Sequence, residues 1–450
     1  MINVKILDIL KITKGTLIRN FKVDKEINTI SIDSRTLQEK DAFLCIKGNT
    51  FDGHDFIKEA IEKKASCIIV EKDIGTLKTK IPVIKVESTK EALIQLSYFY
   101  KQQYHPYVIA ITGSVGKTTT KEFISKILSK KYNVLKNQGN QNNHIGLPLT
   151  LLKLNKEVDV LVTELGMNHK GEIHKLSTLI NPDIGVITNI GTSHIGNLGS
   201  KQAIYEAKLE LLDGMKSGKV IVNGDDSYLK KKQKKENVEW IRVGKKKYND
   251  LYCTNIKSTF EGTTFNLHYQ KKVYKAFYPI PGSHLLSNVM LAIQTVLIFG
   301  MEMEEILGSL KEFTMLEGRT KIKKMKDVIL IDDAYNASYE SIKGSIELLN
   351  LRKTPKLLIL GDVLELGKYS KSIHKKISKL LNQKNMKVLL VGKELEFLKK
   401  KYPHFQDNVT LWEYIEKNNI ILPSMTILVK GSHSMHLDEI VKKIEEKLSI

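Results

Sequence analysis

Cysteine, tryptophan and arginine are scarce in this chain, and long hydrophobic runs are missing altogether. Three cysteines in 450 residues, Cys45, Cys67 and Cys253, stand apart with no paired spacing. That pattern argues against a disulfide scaffold and a thiolate zinc site, and it fits a reducing compartment. No stretch of about 18 apolar residues occurs, so no transmembrane helix is expected. The opening MINVKILDILKITKG is too often interrupted by charge for a secretory signal. A cytoplasmic protein without membrane insertion is the expectation. The scarcity of arginine also bears on the net charge of +21. Nearly all of that excess is lysine, spread along the whole chain. Base readers concentrate arginine, and single-strand binders interleave aromatic with basic residues. Neither pattern occurs here. The charge reads as a solvated lysine surface rather than a nucleic-acid site, and part of it can attract an anionic substrate.

What is present is ample apolar material: 42% of residues are hydrophobic, in a chain too long for one core. Changes of pattern divide it into three. Residues 1–103 mix short strands (INTISIDSR, AFLCIKG, SCIIVE) with an amphipathic helix (HDFIKEAIEKKA). Residues 104–314 repeat strand-then-helix units. VIAIT, VDVLVTEL, DIGVITNI and GKVIVNG are short apolar runs ending in polar residues, as buried parallel strands do. LYCTNIKSTFEGTTFNLHYQKKVYKAFYPIPG has strand chemistry with turn residues and predicts an antiparallel insert. Residues 315–450 alternate again (DVILIDDAY, KLLILGDV, KVLLVG and MTILVKGS, each followed by a helix), which predicts a doubly wound, Rossmann-like α/β unit.

The second part opens on VIAITGSVGKTTTKEFISKIL, residues 108–128. Strand, glycine loop, lysine, hydroxyl, helix is the layout of a phosphate cradle. Backbone N–H groups around Gly113, Ser114 and Gly116 point at the anion, and the helix start adds partial positive charge. Lys117 would reach the terminal phosphates, and Thr118, followed by Thr119, would offer a hydroxyl to magnesium. The common G-x-x-x-x-G-K-[ST] pattern is shortened here to T-G-x-x-G-K-T.

Three more segments carry chemistry at strand ends, where open α/β sheets gather ligands. LVTELGM ends a strand with Glu164, a carboxylate suited to magnesium. VITNIGTSHIGNLGS places His194 just past another strand; by itself it reads as a hydrogen-bonded loop residue. Lys208, in AIYEAKLELL, by itself reads as one more helix lysine. NQGNQNNHIGLPLTLL is dense in amides (Asn140, Asn142 and Asn143 among them) and is a candidate substrate loop.

Taken in order, these segments resemble the Mur ligase family, cytoplasmic ATP-dependent enzymes that extend the peptide of a UDP-linked muramoyl precursor. PGSHLLSNVMLAI, LEGRT and IDDAYNAS are similar to its remaining nucleotide motifs, and the resemblance spans essentially the whole chain. It implies a three-domain architecture: a UDP-muramoyl-binding domain over 1–103, an ATP-binding domain with a P-loop over 104–314, and an acceptor-binding domain over 315–450. IDSRTLQEKDAFLCIKGNTFDGHDFI, LILGDVLELG and LVKGSHSMHLDEI are similar to segments of the member that joins D-alanyl-D-alanine to UDP-N-acetylmuramoyl-tripeptide. The resemblance implies that Lys117 binds the β- and γ-phosphates and that Thr118 and Glu164 hold one magnesium. It implies a carbamylated Lys208 that, with His194, holds a second. His284 and Asn288 would meet adenine. Arg319, Asp333, Tyr335 and Asn336 would reach the nucleotide from the third domain. Ser34 and Arg35 would lie at the UDP site, and Asn140, Asn142 and Asn143 along the muramoyl-peptide cleft. A monomer is expected. The chain departs from the family pattern at Val115, at YNASYESI, which lacks the usual proline, and at His433, which stands where arginine is frequent. A histidine offers no bidentate fork for a carboxylate. The tripeptide-forming ligase of the family, a folylpolyglutamate-type synthetase and a non-catalytic, nucleotide-responsive sensor of cell-wall precursors stand as alternatives. The acceptor and ATP turnover separate them.

Overall fold

The computed structural model describes residues 4–18, 25–48, 50–75, 79–233, 235–383 and 385–449. Three large sheets, besides the two-stranded pair of Val4–Lys5 with Glu26–Ile27, organise the described residues. The first has five short strands in the order Thr16–Leu17, Val83–Lys85, Cys67–Val70, Ala42–Leu44, Ile30–Ser31. Only the Thr16–Leu17 strand runs antiparallel to its neighbour. The Cys67–Val70 strand is buried at every position, as its uninterrupted apolar run requires.

The second sheet has nine strands. Three of them frame the cradle: β1 (Tyr107–Thr112), β2 (Val160–Glu164) and β3 (Ile184–Ile187). β1 pairs in parallel with β2 on one side and β3 on the other. After β1 the chain runs first to the edge strand Val134–Lys136, returns through β2 beside β1, and then crosses to β3. The crossing makes the carboxyl end of β1 a topological switch point, where such sheets bind ligands. Beyond β3 come Gly218–Asn223, Val238–Gly244 and Leu251–Ser258 in parallel, then Thr263–Tyr269 and Lys272–Tyr278, each antiparallel to the strand before it. The expected antiparallel insert is thus an extension of the sheet itself.

Helix α1 (Lys117–Leu128) follows β1. It has no side-chain cap, because Gly116, at φ +87°, stands where a capping side chain would sit. Its first N–H groups are therefore left for a ligand. Helix α2 (Lys201–Leu209) is capped by Ser200, whose hydroxyl accepts from the Ala203 N–H. Helix α3 (Leu286–Leu297) is apolar nearly all round and buried, packing on α1. Phe123 of α1 also stacks on Phe313, with centroids 3.7 Å apart.

The third sheet runs Lys321–Met325, β4 (Val328–Asp333), β5 (Thr426–Lys430), Lys356–Gly361, Met386–Val391, His404–Phe405. All but the first strand are parallel to their neighbours, giving the doubly wound α/β arrangement. Helix α4 (Tyr339–Leu349) starts behind Ser338, whose hydroxyl accepts from Ser341 N–H. One apolar cluster joins the second and third domains: Ile195 and Leu198 pack with Val363 and Leu366 in it. Among the described residues no helix is long and apolar enough to cross a membrane.

Candidate nucleotide and ligation site

A cleft of about 450 Å³ lies between the end of β1 and the third domain. The second domain lines it with the 114–119 loop, Glu164, His194, His284 and Asn288; the third contributes Arg319, Asp333, Tyr335, Asn336 and Lys430.

The loop is held from behind. Asn189 accepts from the Val115 N–H at 3.1 Å and donates to the Val115 carbonyl at 2.8 Å. Thr188 donates to the same carbonyl at 2.6 Å. The Ser114 hydroxyl accepts from Gly191 N–H at 2.8 Å, so this side chain serves the loop's own geometry. Asn288 packs on Gly116 and donates to its carbonyl at 3.3 Å. A Cβ on Gly116 would stand 2.8 Å from Asn288 Oδ1, so only glycine allows that approach.

Lys117 reaches back to the Gly113 carbonyl at 2.9 Å. Burial pushes its ammonium down from the ordinary lysine range, and Glu164 opposes that shift. Such a cation gains most from a polyanion placed beside it. Glu164, 2% exposed, ends β2 with both oxygens occupied by neutral donors. The Thr118 hydroxyl donates to one at 2.6 Å and the Asn142 amide to the other at 2.7 Å. Hydroxyl and carboxylate oxygen side by side are the donor set of a hard cation. Asn137, fully buried, brackets the Glu164 backbone, accepting from its N–H at 3.0 Å and donating to its carbonyl at 3.3 Å. Lys121, 1% exposed, donates in turn to the Asn137 carbonyl at 2.5 Å.

His194 has left-handed backbone, φ +61°. Its Nδ1 lies 2.7 Å from Glu365 Oε2 of the third domain, off the line of a well-formed hydrogen bond. That contact holds the Glu365 carboxyl below its usual range. Lys208 is 2% exposed, and its side chain makes no hydrogen bond or ion pair among the described residues. Burial, and then the neighbouring Lys117, drive it strongly toward the neutral amine.

On the opposite wall, Asp333 ends β4. It accepts from Thr320 N–H at 3.0 Å, Ser345 Oγ at 2.5 Å and the Lys430 ammonium at 2.6 Å. Lys430 also donates to the Asn336 carbonyl at 3.1 Å. The Arg319 guanidinium stacks 4.1 Å from the Tyr335 ring centroid. His284 is half-buried, its Nδ1 is buried and unpartnered, and desolvation lowers its pKa to about 4, so it is neutral at pH 7.

Thus the cleft gathers most of the candidate nucleotide and metal residues. Asn142 and Asn143 line it as well, whereas Asn140 is exposed and off its wall. Ser34 and Arg35 lie apart in the first domain: Ser34 donates to Glu59 at 2.6 Å, and Arg35 pairs with Asp33 at 2.8 Å. Several residues that hold the site together escaped the sequence reading: Asn137, Lys121, Asn189, Glu340, Glu365 and Lys430. Each acts through a partner remote in sequence; Lys430 and Asp333, for example, are 97 positions apart.

Comparison with known proteins agrees with this geometry. A family model described as Mur ligase middle domain matches residues 111–296, and one described as Mur ligase family, catalytic domain, matches 26–101. The chain is 35% identical to the UDP-N-acetylmuramoyl-tripeptide--D-alanyl-D-alanine ligase of Bacillus subtilis (strain 168), over 99% of each chain. It is 30% identical to the Escherichia coli (strain K12) protein of the same name, over 94% of this chain and 95% of that one. The solved structure of MurF from Acinetobacter baumannii superposes with a TM-score of 0.88 at 30% identity, covering 98% of both chains. MurF ligase from Thermotoga maritima in complex with ADP gives 0.83 at 27% identity, over 93% of this chain and 97% of that one.

Proposed function

Since this chain belongs to the Mur ligase family, we propose that it joins D-alanyl-D-alanine to UDP-N-acetylmuramoyl-tripeptide at the expense of ATP, in cytoplasmic synthesis of a cell-wall precursor. The observation that carries this reading is the 35% identity, over 99% of both chains, to a relative of that name. The buried, unpaired cysteines and the ATP requirement suit the cytoplasm.

The chemistry sets what the site must do. A carboxylate does not condense with an amine unaided, because its oxygen is too poor a leaving group. Phosphorylation solves this: the substrate carboxylate takes the γ-phosphoryl group of ATP, releasing ADP and giving an acyl phosphate. The neutral amine of the dipeptide then attacks the acyl carbon, and inorganic phosphate leaves. Lys117 would neutralise charge on the transferring group. His284, kept neutral, and Asn288 would meet the base, while Arg319 and Tyr335 would close over the nucleotide. Asn142 and Asn143 would position the muramoyl peptide, Ser34 and Arg35 its UDP end, and the third domain the dipeptide. Closing the cleft would keep the acyl phosphate from water.

Two magnesium ions would be held, one by Thr118 with Glu164, whose oxygens stand side by side, and the other by His194 with a modified Lys208. When bound, they would supply charge neutralisation on phosphate oxygens. Lys208 as an ammonium cannot ligate a cation. As the neutral amine that its burial favours, it can add to carbon dioxide with loss of a proton, giving a carbamate anion. Enzyme equilibrated with ¹³C-bicarbonate should then show one carbamate resonance that Lys208→Arg lacks. An identical spectrum from the variant would refute the modification.

Phosphate release from ATP and magnesium with UDP-N-acetylmuramoyl-tripeptide should depend on D-alanyl-D-alanine and yield a product heavier by that dipeptide. Release with single amino acids only would move the chain to another step of the family's work. Nucleotide binding with no turnover on any acceptor would favour a sensor.

A further inference from the structure

We infer that Glu365 is a positioning residue delivered to His194 by the third domain, and that the second ion site is complete only while that domain rests on residues 192–201. The inference builds on the ligase reading above.

Glu365 has φ +63°, a conformation uncommon for a side chain that gains nothing from it locally. Its surroundings fix it there. Its carbonyl accepts from Gly196 N–H at 3.1 Å, while its carboxylate meets His194 Nδ1 at 2.7 Å. One residue thus grips the 194–196 segment by both backbone and side chain. The approach needs two bare glycines. A Cβ on Gly196 would stand 2.6 Å from the Glu365 carbonyl oxygen and 2.7 Å from Gly367 N, and one on Gly367 3.0 Å from the Gly196 Cα. The Tyr369 hydroxyl donates to the Gly199 carbonyl one turn further on. Glu340 adds a second grip, accepting from Thr192 Oγ1 at 2.9 Å and lying 3.7 Å from the Lys201 ammonium.

The clamped segment carries His194 and leads directly into α2, which carries Lys208. The third domain therefore rests on the support of both candidate ligands of the second ion. A carboxylate held behind a ligating imidazole restrains the ring, and losing such a partner weakens metal binding by about tenfold or more. Here Nδ1 is the nitrogen facing the carboxylate, which leaves Nε2 for an ion. The orienting carboxylate comes from a different domain, so the ring is set only when the two domains are together. This would tie ion uptake to closure and withhold phosphoryl transfer from an open enzyme.

The test is an ion count by electron paramagnetic resonance, titrating Mn²⁺ into full-length enzyme saturated with a non-hydrolysable ATP analogue. The unaltered enzyme should take up two ions. Glu365→Gln should bind the first normally and the second about tenfold more weakly. Its kcat should fall while its KM for ATP stays within about twofold, a split that a merely structural role would not give. Gly196→Ala, which keeps both His194 and Glu365, should lose the second ion to the same extent. Two normally bound ions in Glu365→Gln would overturn the proposal, and so would a single ion in the unaltered enzyme. Should Gly196→Ala fail to fold, Glu365→Gln alone decides. Because ion counting needs no acceptor, two ions with no dipeptide product would refute the ligase reading and leave the Glu365 assignment standing.

Discussion

Lys117→Met should reduce turnover by about a thousandfold while the protein keeps its fold. The two halves of that expectation have separate causes. In the resting site the ammonium makes one hydrogen bond, to the Gly113 carbonyl at 2.9 Å. The side chain is half-buried, and desolvation lowers its pKa. A lysine whose pKa is lower folded than unfolded costs stability whenever it is charged. The cost is fully present below the folded value and disappears as pH rises from there to the ordinary lysine range. Methionine, of similar length, removes the cost at every pH. The variant should therefore melt no lower than the unaltered protein at pH 7 and lose that part of the alkaline rise in stability. Turnover depends on the charge that stability does not need. Thermal melting from pH 7 to 10, alongside the phosphate-release assay, checks both. Near-normal product formation would sink the phosphate-cradle assignment.

Lys430→Met should destabilise the third domain by about 3–5 kcal/mol, the usual cost of stripping one partner from a buried ion pair. Lys430 is 2% exposed, and its ammonium is 2.6 Å from Asp333 Oδ2. Without it, Asp333 keeps only the neutral donors of Thr320 and Ser345. The double variant Lys430→Met with Asp333→Asn should recover most of the loss, because no uncompensated charge then remains. Urea unfolding, followed by the fluorescence of Trp412 in the third domain, measures both. A loss below about 1 kcal/mol would mean that the pair is no tighter than a surface bridge. The Lys430 bond to the Asn336 carbonyl also supports the cleft wall, so nucleotide affinity should weaken in the single variant.

Much of the fold could be read in advance because parallel strands buried on both faces write themselves as apolar runs. VIAIT, LVTEL and DIGVI announced β1, β2 and β3, and the polar residue closing each run marked the end of the sheet where ligands gather. Glu164 was legible on that ground alone. His194 and Lys208 were not. Each is an ordinary residue for its local context, and only the resemblance to a family paired them. Lys121 and Lys430 were harder still. In a chain with this much lysine, nothing local separates a buried ammonium from the solvated ones around it. The separation comes from partners, Asn137 for one and Asp333 for the other, that only the folded chain brings near. Asn137 likewise sits among other amides of a polar loop, and its burial under β2 is a tertiary fact. Glu365 belonged to a motif, LILGDVLELG, whose resemblance pointed to the acceptor domain. Its grip on His194 crosses a domain boundary and leaves no periodicity to read.

The cleft described above takes one wall from the second domain and the other from the third. Any affinity measured for a nucleotide is then a product of two quantities: the intrinsic affinity of the assembled pocket and the fraction of molecules in which it is assembled. A substitution at the 196–199 and 365–369 contact, touching no atom of the ligand, would rescale the apparent dissociation constant by the change in that fraction alone. The same linkage runs in reverse: a ligand spanning both walls draws the population toward the assembled form and prepares the site for the next substrate. Order of addition, in such a molecule, follows from which ligand first bridges the gap.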